Sequence, residues 1–248
     1  MARTFAIGDI HGDLPALERA LKRLPRLQAT DTLVFLGDYL DRGPSSAQVI
    51  ELIRRLAVDG PAKVVALRGN HEDAWMRVID SGWPEYVMPP SNGCLAAMRS
   101  FTGGPVVEGD DEPSPAEMKS LLTGAFFPRD VVDWMRSLPY WHEDEHAIYV
   151  HAGLPRGASG FLHPSQAPAQ AALLWLRDED FFRNYRGKLV VFGHTATAFL
   201  PPELSSYTPE DPLDIWAGPC CVGLDTGAGK GGFLTALELP AMHVFESR

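Results

Sequence analysis

Apolar and polar residues alternate in a repeating pattern along the first third of the chain. Residues 3–8 form a short apolar segment typical of a buried strand, and leucines with the spacing of an amphipathic helix follow it, at Leu14, Leu17, Leu21 and Leu24. The same unit recurs at 32–36, with a helix expected from Ser46, and at 63–67, with a helix expected through Met76. Three successive units predict right-handed crossovers and a mostly parallel sheet that is covered on both faces.

The pattern changes between residues 80 and 127, where glycine and proline interrupt weakly helical segments. We expect this stretch to be an inserted cap. A helix is predicted over 128–138, and further strands are predicted at 147–151, 189–192, 221–225, 233–239 and 242–245. Short turns between the last three strands favour antiparallel pairing. The expected fold class is α/β, a β-sandwich of mixed, mostly parallel sheets flanked by helices, in a single domain over residues 1–248.

Composition and charge limit the kind of protein. The 248 residues carry 32 acidic and 22 basic side chains, which gives a formal net charge of −10. This sign is wrong for a protein that must neutralise a nucleic-acid backbone, so no nucleic-acid partner is expected. The chain has no apolar run of the roughly 18 residues that span a bilayer and no signal-peptide pattern at its N-terminus. We therefore expect a cytoplasmic protein without a membrane partner.

Polar residues are concentrated where the predicted strands end. Five glycine-framed clusters occupy these positions, namely GDIHG (8–12), GDYLDRG (37–43), GNHE (69–72), HAG (151–153) and GHT (193–195). Loops at the carboxyl ends of strands in an α/β sheet converge on one crevice, so the clusters should share a site. They would bring together the candidate metal ligands Asp9, His11, Asp38, Asn70, His151 and His194.

This set of side chains suits a pair of divalent cations. Carboxylate and imidazole ligands fit Mn, Fe or Zn better than Ca or Mg, and we expect Mn²⁺, with Fe or Zn as alternatives. Asp38 is the candidate bridging ligand, because it lies along the chain between the Asp9 and His11 set and the set that begins with Asn70. Two cations about 3.5–4 Å apart can clamp a phosphoryl oxygen and activate a bridging water, so no protein nucleophile is required.

These segments, together with LRGNHE over 67–72, resemble the motifs of the phosphoprotein phosphatase group of metallophosphoesterases. Their order and spacing match along nearly the whole chain, and the weakest part is 80–127. The resemblance implies a metallophosphoesterase-type sandwich in which Asp9 and His11 hold the first metal and Asp38 bridges. It assigns the second metal to Asn70, His151 and His194.

The resemblance also implies roles for residues that do not bind metal. His71, oriented by Asp41, would act as general acid to the leaving oxygen, and Arg42 would bind the substrate phosphate. The segment Trp175-Leu176-Arg177-Asp178 matches the bacterial and phage form of the family, which makes Arg177 the second expected phosphate-binding arginine. The expected substrate-binding residues are Arg42, Asn70 and Arg177.

The residues after His194 bear on the substrate. Family members that cleave phosphodiesters usually read GHxH at this motif, whereas Thr195 and Ala196 stand here, which favours phosphomonoesters or polyphosphate-type anhydrides. Our first hypothesis is a phosphatase that acts on phosphoserine or phosphothreonine in proteins by attack of a metal-bridging hydroxide. The alternatives are a symmetrical dinucleoside tetraphosphate hydrolase, which shares the five motifs, and a phosphatase for other small phosphorylated molecules. A non-catalytic regulator predicts a missing ligand, and none is missing.

One further glycine-rich run, GAGKGG over 227–232, superficially matches a phosphate-binding loop. Its lysine is followed by glycine instead of serine or threonine, and the run lies between two predicted strands instead of opening a helix. We therefore interpret it as a hairpin turn.

Overall fold

The computed structural model describes residues 2–206 and 213–248. Its strands are β1 (Thr4–Ile7), β2 (Thr32–Phe35), β3 (Lys63–Ala66), β4 (Trp141–Glu143), β5 (Ile148–Val150), β6 (Arg156–Gly157), β7 (Gly160–Phe161), β8 (Val190–Phe192), β9 (Trp216–Ala217), β10 (Cys221–Gly223), β11 (Thr235–Leu239) and β12 (His243–Glu246). Its α-helices are α1 (Leu14–Arg23), α2 (Ser46–Asp59), α3 (Asn70–Ser81), α4 (Pro84–Val87), α5 (Cys94–Thr102), α6 (Pro115–Thr123), α7 (Arg129–Ser137), α8 (Ala172–Trp175) and α9 (Glu179–Asn184).

The helices begin and end where local chemistry favours it. Asp13 caps α1, because its Oδ1 accepts a hydrogen bond from the backbone N–H of Ala16 at 2.9 Å, and Lys22 and Arg23 lie in the last turn, near the negative end of the helix dipole. Within the described ranges, none of the helices has the length and apolar character needed to cross a membrane.

Two five-stranded mixed sheets form the centre of the molecule. The first has the strand order β12-β11-β1-β2-β3, and the second has the order β4-β5-β8-β10-β9. The strands β1, β2 and β3 are parallel to one another, as are β5, β8 and β10, while antiparallel strands complete the edges. The parallel strands are the ones that carry the polar clusters at their carboxyl ends.

The sheets are stacked face to face with helices on the outside. Along β1, Phe5 and Ile7 pack against the helices of the first layer, whereas Ala6 points between the sheets, as the two-residue period of a strand requires. On the outer face of the second sheet, Val190 and Phe192 pack with α9. The predicted α/β sandwich with flanking helices is confirmed.

The predicted antiparallel pairing of the last three strands is only partly right. Strands β11 and β12 pair antiparallel, but β10 does not pair with β11. Both sides of β10 are taken by β8 and β9, and both sides of β11 are taken by β1 and β12. The run 227–232 is therefore not a hairpin turn within one sheet, because it carries the chain from the second sheet to the first.

The segment 80–127 packs closely on the first helical layer. Its residues Tyr86, Met98 and Leu121 belong to the same buried apolar cluster as α1, α2 and α3, and α5 lies against α2. The segment also contacts the loop after β2, where the backbone N–H of Arg42 donates to the carbonyl oxygen of Gly93 at 3.2 Å. Its character as an inserted cap, and the organisation of residues 1–248 as a single domain, stay predictions.

Candidate active site

The loops after the parallel strands have strained backbones. Six described residues other than glycine have positive φ, and five of them were predicted as site residues: His11, Asp38, Asp41, Arg42 and His194. The left-handed conformation costs a residue with a side chain roughly 1–2 kcal/mol, and such strain is concentrated at functional sites in proteins. The surrounding contacts must therefore hold these five residues in place.

Loops from the two sheets pack directly against each other. The backbone N–H of His194, after β8, donates to both carboxylate oxygens of Asp9, after β1, at 3.2 and 3.0 Å. A side chain on Gly193 would place its Cβ 2.0 Å from Asp9 Oδ1, so only glycine allows this approach. The glycines that frame the motifs thus make room for the side chains of neighbouring loops.

The Asp38 carboxylate lies between two sets of imidazoles. Its Oδ2 is 3.5 Å from His11 Nε2, and its Oδ1 is 3.4 Å from His151 Nε2. Two ligands of the same cation, each about 2.1 Å from it, are separated by roughly 3–3.4 Å. Each oxygen therefore faces a different set at a separation close to that of ligands sharing one ion.

The second set is completed by Asn70, the first residue of α3. Its Oδ1 is 2.9 Å from His151 Nε2 and 2.7 Å from His194 Nδ1. The three side chains converge on one point from β3, β5 and β8. On the other side of Asp38, Asp9 Oδ2 lies 4.0 Å from His11 Nε2, so the structure brings all six predicted ligands together around Asp38.

Backbone carbonyls orient two of these imidazoles. His11 Nδ1 lies 3.1 Å from the carbonyl oxygen of Leu40, and His151 Nδ1 lies 2.8 Å from that of Leu36. In each ring Nδ1 donates to the carbonyl, so that Nε2, on the side of Asp38, is the nitrogen that carries the lone pair in the neutral imidazole.

The charge states of these histidines suit metal binding. Burial lowers the pKa of His11, His151 and His194, in the case of His194 to about 2. Neutral imidazole is the form that binds a metal ion. Burial works against ionisation of Asp38, but His71, whose own pKa is raised, and the hydrogen bond that its backbone N–H donates to Asp38 Oδ1 at 3.0 Å favour the carboxylate and hold the pKa of Asp38 well below its usual range.

His71 behaves differently from the other histidines of the site. Burial alone would lower its pKa, but Asp38 and a 2.7 Å hydrogen bond from Nδ1 to Asp41 Oδ2 outweigh burial and raise it. His71 also lies near enough to His11 and Asp38 to be a ligand by distance, with Nε2 3.8 Å from Asp38 Oδ2. Its raised pKa, in contrast to the lowered pKa of His11, His151 and His194, favours a donor role over a ligand role, because a protonated imidazole donates hydrogen bonds and does not bind a metal ion.

Asp41 is held by two aromatic residues that the sequence patterns did not identify as site residues. The Tyr86 hydroxyl donates to Asp41 Oδ2 at 2.5 Å and lies 2.8 Å from His71 Nδ1. The Trp75 indole N–H lies 3.0 Å from Asp41 Oδ1. No local pattern around Tyr86 indicates this contact, because it depends on how 80–127 packs against α3.

Glu72 fixes the position of the Asp38 loop. Its carboxylate accepts hydrogen bonds from the backbone N–H groups of Asp38, Tyr39 and Gly69 at 2.9, 2.9 and 2.8 Å. Burial, followed by repulsion from Asp38, raises the pKa of Glu72 to about 7. A carboxylate in the first turn of a helix, as Glu72 is in α3, commonly caps the helix. Its hydrogen bonds to the loop after β2 could not be predicted from the sequence.

The buried acids of the site fit a bound cation. Burial, and the carboxylates of Asp225 and Asp38, raise the pKa of Asp9 well above its ordinary value. A divalent ion between Asp9 and Asp38 would offset this repulsion. Asp225 was not among the predicted site residues, yet it follows β10 as the polar clusters follow their strands, and this position in the sequence could have indicated it.

Both predicted arginines lie at the edge of the ligand cluster. Arg42 Nη1 contacts His11 Nε2, and Arg177 Nε lies 3.0 Å from His194 Nε2.

The two arginines line two adjoining cavities. The smaller, about 130 Å³, lies over the cluster and is also lined by Asp38, Asn70, His71 and His194. The larger, about 890 Å³, extends from Arg42 and Arg177 towards 87–96 and 107–113 and is also lined by Lys230.

Comparison with known proteins identifies the family. The model for calcineurin-like phosphoesterases matches residues 2–198. The chain belongs to the calcineurin-like phosphoesterase family. This confirms the predicted metallophosphoesterase and makes the protein a metal-dependent hydrolase. Members of the family use a pair of divalent cations, and the two groups of aspartate and histidine that share Asp38 fit such a pair.

Similar proteins carry related names. The symmetrical bis(5'-nucleosyl)-tetraphosphatase of Dechloromonas aromatica is 32% identical over 151 residues, which are 61% of this chain and 44% of that protein. The chain thus spans less than half the length of this relative. The asymmetrical bis(5'-nucleosyl)-tetraphosphatase PrpE of Oceanobacillus iheyensis is 26% identical over 260 residues, covering 94% of this chain and 87% of that one. A metallophosphoesterase from Sphaerobacter thermophilus has the same fold, with a TM-score of 0.55, 19% identity, and coverage of 98% and 87%.

The position of Asp38 leads to a test by substitution. Asp38→Asn removes the negative charge of the carboxylate and replaces one of its two oxygens by an amide nitrogen, although each oxygen faces one imidazole set. We therefore expect the content of bound Mn²⁺ to fall from two ions per chain to one or none. Metal analysis after gel filtration measures this content. Asp59→Asn, the same change at an exposed position at the end of α2, is the control and should keep two ions. Two tightly bound ions in Asp38→Asn would refute the bridging role.

Proposed function

We propose that the protein hydrolyses small phosphorylated molecules, with dinucleoside polyphosphates as the substrate class, at the site built around Asp38. The observation that carries this proposal is the pair of adjoining cavities. The smaller one lies over the proposed metal ligands and has room for a phosphate group, while the larger one begins at Arg42 and Arg177 and continues away from the ligands. A substrate that fills both has a phosphate at one end and a bulkier group beyond it.

The larger cavity has the size and lining of a small-molecule site. Such sites measure about 300–1,000 Å³ and combine an apolar wall with a few converging polar groups, and this cavity has about 890 Å³. Its apolar wall includes Val87, Met88 and Leu95, and its basic groups include Arg42 and Arg177. The names of the tetraphosphatase relatives support the same substrate class, including one that aligns over 94% of this chain.

The proposed chemistry assigns a task to each group of residues. We propose that Asp9, His11, Asp38, Asn70, His151 and His194 hold two divalent cations, Mn²⁺ by preference, which would activate water and stabilise charge on the phosphoryl oxygens. Arg42 and Arg177 bind the phosphate oxygens and orient the group for in-line attack. His71 donates its proton to the leaving oxygen, and Asp41 holds the imidazole in the required orientation.

A second candidate function is the hydrolysis of phosphoserine or phosphothreonine in proteins, which was the first hypothesis from the sequence. The observation that favours it is the segment Trp175-Leu176-Arg177-Asp178, which follows the pattern of protein phosphatases and places Arg177 beside His194. Activity on another small phosphomonoester is compatible with the same cavities. The cytoplasmic location stays a prediction.

The role of His71 can be tested by changing the leaving group. In Mn²⁺-loaded His71→Ala, we expect turnover of an alkyl phosphate to fall about 10²- to 10⁴-fold, because the alkoxide leaves only when it is protonated. Turnover of p-nitrophenyl phosphate should fall much less, since its phenolate leaves without a proton. His243→Ala, at an exposed position of β12, is the control. Equal losses on both substrates would contradict the acid assignment.

The proposed substrate class can be tested with a panel. We expect the Mn²⁺-loaded protein to hydrolyse diadenosine tetraphosphate with a kcat/KM at least tenfold above that for a phosphoserine or phosphothreonine peptide, because only the small molecule can fill both cavities. Product analysis by chromatography measures both reactions. A preference for the phosphopeptides would replace the proposal with the second candidate, and no turnover of any phosphorylated compound would refute both.

A further inference from the structure

Lys230 is a basic residue of the larger cavity for which the proposed mechanism has no task. It lies on the glycine-rich run 227–232, which carries the chain from β10 to β11. Among the described residues that line the two cavities, Arg42, Arg177 and His194 are shared, whereas Lys230 lines the larger cavity alone. Lys230 therefore belongs to the wall of the larger cavity and not to the wall of the smaller one.

The backbone beside Lys230 is fixed against the loop of the first proposed metal. Gly229 has φ +71, and a Cβ there would lie 2.4 Å from the carbonyl oxygen of His11, so glycine is required at this position. The backbone N–H of Gly229 also points at Asp13 Oδ2, 3.4 Å away. The position of Lys230 is thus tied to the position of His11.

A buried carboxylate orients the Lys230 side chain. Nζ donates to Asp225 Oδ2 at 3.2 Å, and the Asp225 side chain is completely buried. Asp225 Oδ1 in turn accepts a hydrogen bond from the backbone N–H of Gly227 at 3.1 Å. An ammonium group has three hydrogens, so one is used by Asp225 and two remain for a ligand. The Lys230 side chain is 29% exposed, which leaves it accessible from the cavity.

We propose that Lys230 binds the phosphate group adjacent to the scissile one, and that it thereby favours phosphoanhydrides over phosphomonoesters. The inference rests on the proposed function, because it assumes that the scissile phosphate occupies the smaller cavity. A phosphomonoester has a neutral group at the adjacent position and gains nothing from an ammonium there. A phosphoanhydride places an anion at that position, where a hydrogen bond between two charged groups is strong.

Acidic residues of the larger cavity limit how much anion it can hold. Asp110, Asp111 and Glu112 line this cavity, and only Asp111 is paired with a described cation, by a 2.8 Å contact with Arg99. A long polyanion would be repelled by these carboxylates. The charges therefore fit a short phosphate chain near Lys230 followed by an uncharged group, such as a nucleoside, whose hydroxyl and amino groups can donate to carboxylates.

Mn²⁺-loaded protein is assayed with two substrates, inorganic tripolyphosphate and p-nitrophenyl phosphate. The group next to the scissile phosphate is a phosphate in the first substrate and an uncharged nitrophenyl group in the second. The measured quantity is the ratio of their kcat/KM values. Lys230→Met keeps the length of the side chain and removes its charge, and we expect it to lower this ratio roughly 10- to 100-fold, mainly through the KM for tripolyphosphate. Lys230→Arg keeps the charge and should retain most of the wild-type ratio.

A purely structural role for Lys230, as the partner of Asp225, predicts a different result. Lys230→Met would then lose activity on both substrates equally, and an unchanged ratio overturns the proposal. Lys230→Gln keeps a donor for Asp225 without the charge, so it decides the question if the methionine variant does not fold. Failure of the proposed function would instead appear in the wild-type protein, as no turnover of diadenosine tetraphosphate.

Discussion

The placement of one buried carboxylate, that of Asp38, determines the rest of the site. Its two oxygens face imidazoles from different sheets, His11 on one side and His151 on the other. This arrangement requires that loops from β1, β2, β3, β5 and β8 meet at one point. A carboxylate taken out of water needs compensating contacts, and here they come from imidazoles and from the backbone N–H of His71 at 3.0 Å. The stacking of the two sheets brings these groups together.

The same constraint explains why strain is concentrated here. Asp38, His11 and His194 are held with positive φ, each at a cost of roughly 1–2 kcal/mol. Burial of one leucine, such as Leu237 between the sheets, contributes about 1.5–3 kcal/mol, so the large apolar core can offset several strained residues. Glu72 holds the loop directly, by accepting three backbone N–H groups around Asp38 and Gly69. Burial of the apolar core thus offsets the free-energy cost of the strained loop residues.

The sequence predicted those features of the fold and the site that depend on residues close together in the chain. The strand, loop and helix units around β1, β2 and β3 could be predicted because both their periodicity and their glycine-framed ends are local properties of the chain. The six metal-ligand candidates followed from the same positions, and the structure places them together. Their roles as ligands stay predictions, although the contrast between the lowered pKa of His151 and the raised pKa of His71 agrees with a division into ligand and acid.

What the sequence could not indicate depends on packing between distant segments. The contact of Tyr86 with Asp41 follows from the way α4 packs against α3, and no periodicity encodes it. The crossing from β10 to β11 resembled a hairpin, because short glycine-rich turns are the same in both cases, and only the occupied edges of the sheets exclude pairing. Lys230 was set aside for a related reason, since its loop fails the pattern of a phosphate-binding loop and acquires its position only from contact with His11.

We propose that the two oxygens of Asp38 face two different cations. The most direct measurement is the anomalous scattering of manganese in crystals of the Mn²⁺-loaded protein. We expect two peaks about 3.5–4 Å apart, one beside Asp9 and His11 and the other beside Asn70 and His151, with Asp38 between them. A single peak, or two peaks of which only one contacts Asp38, would contradict it.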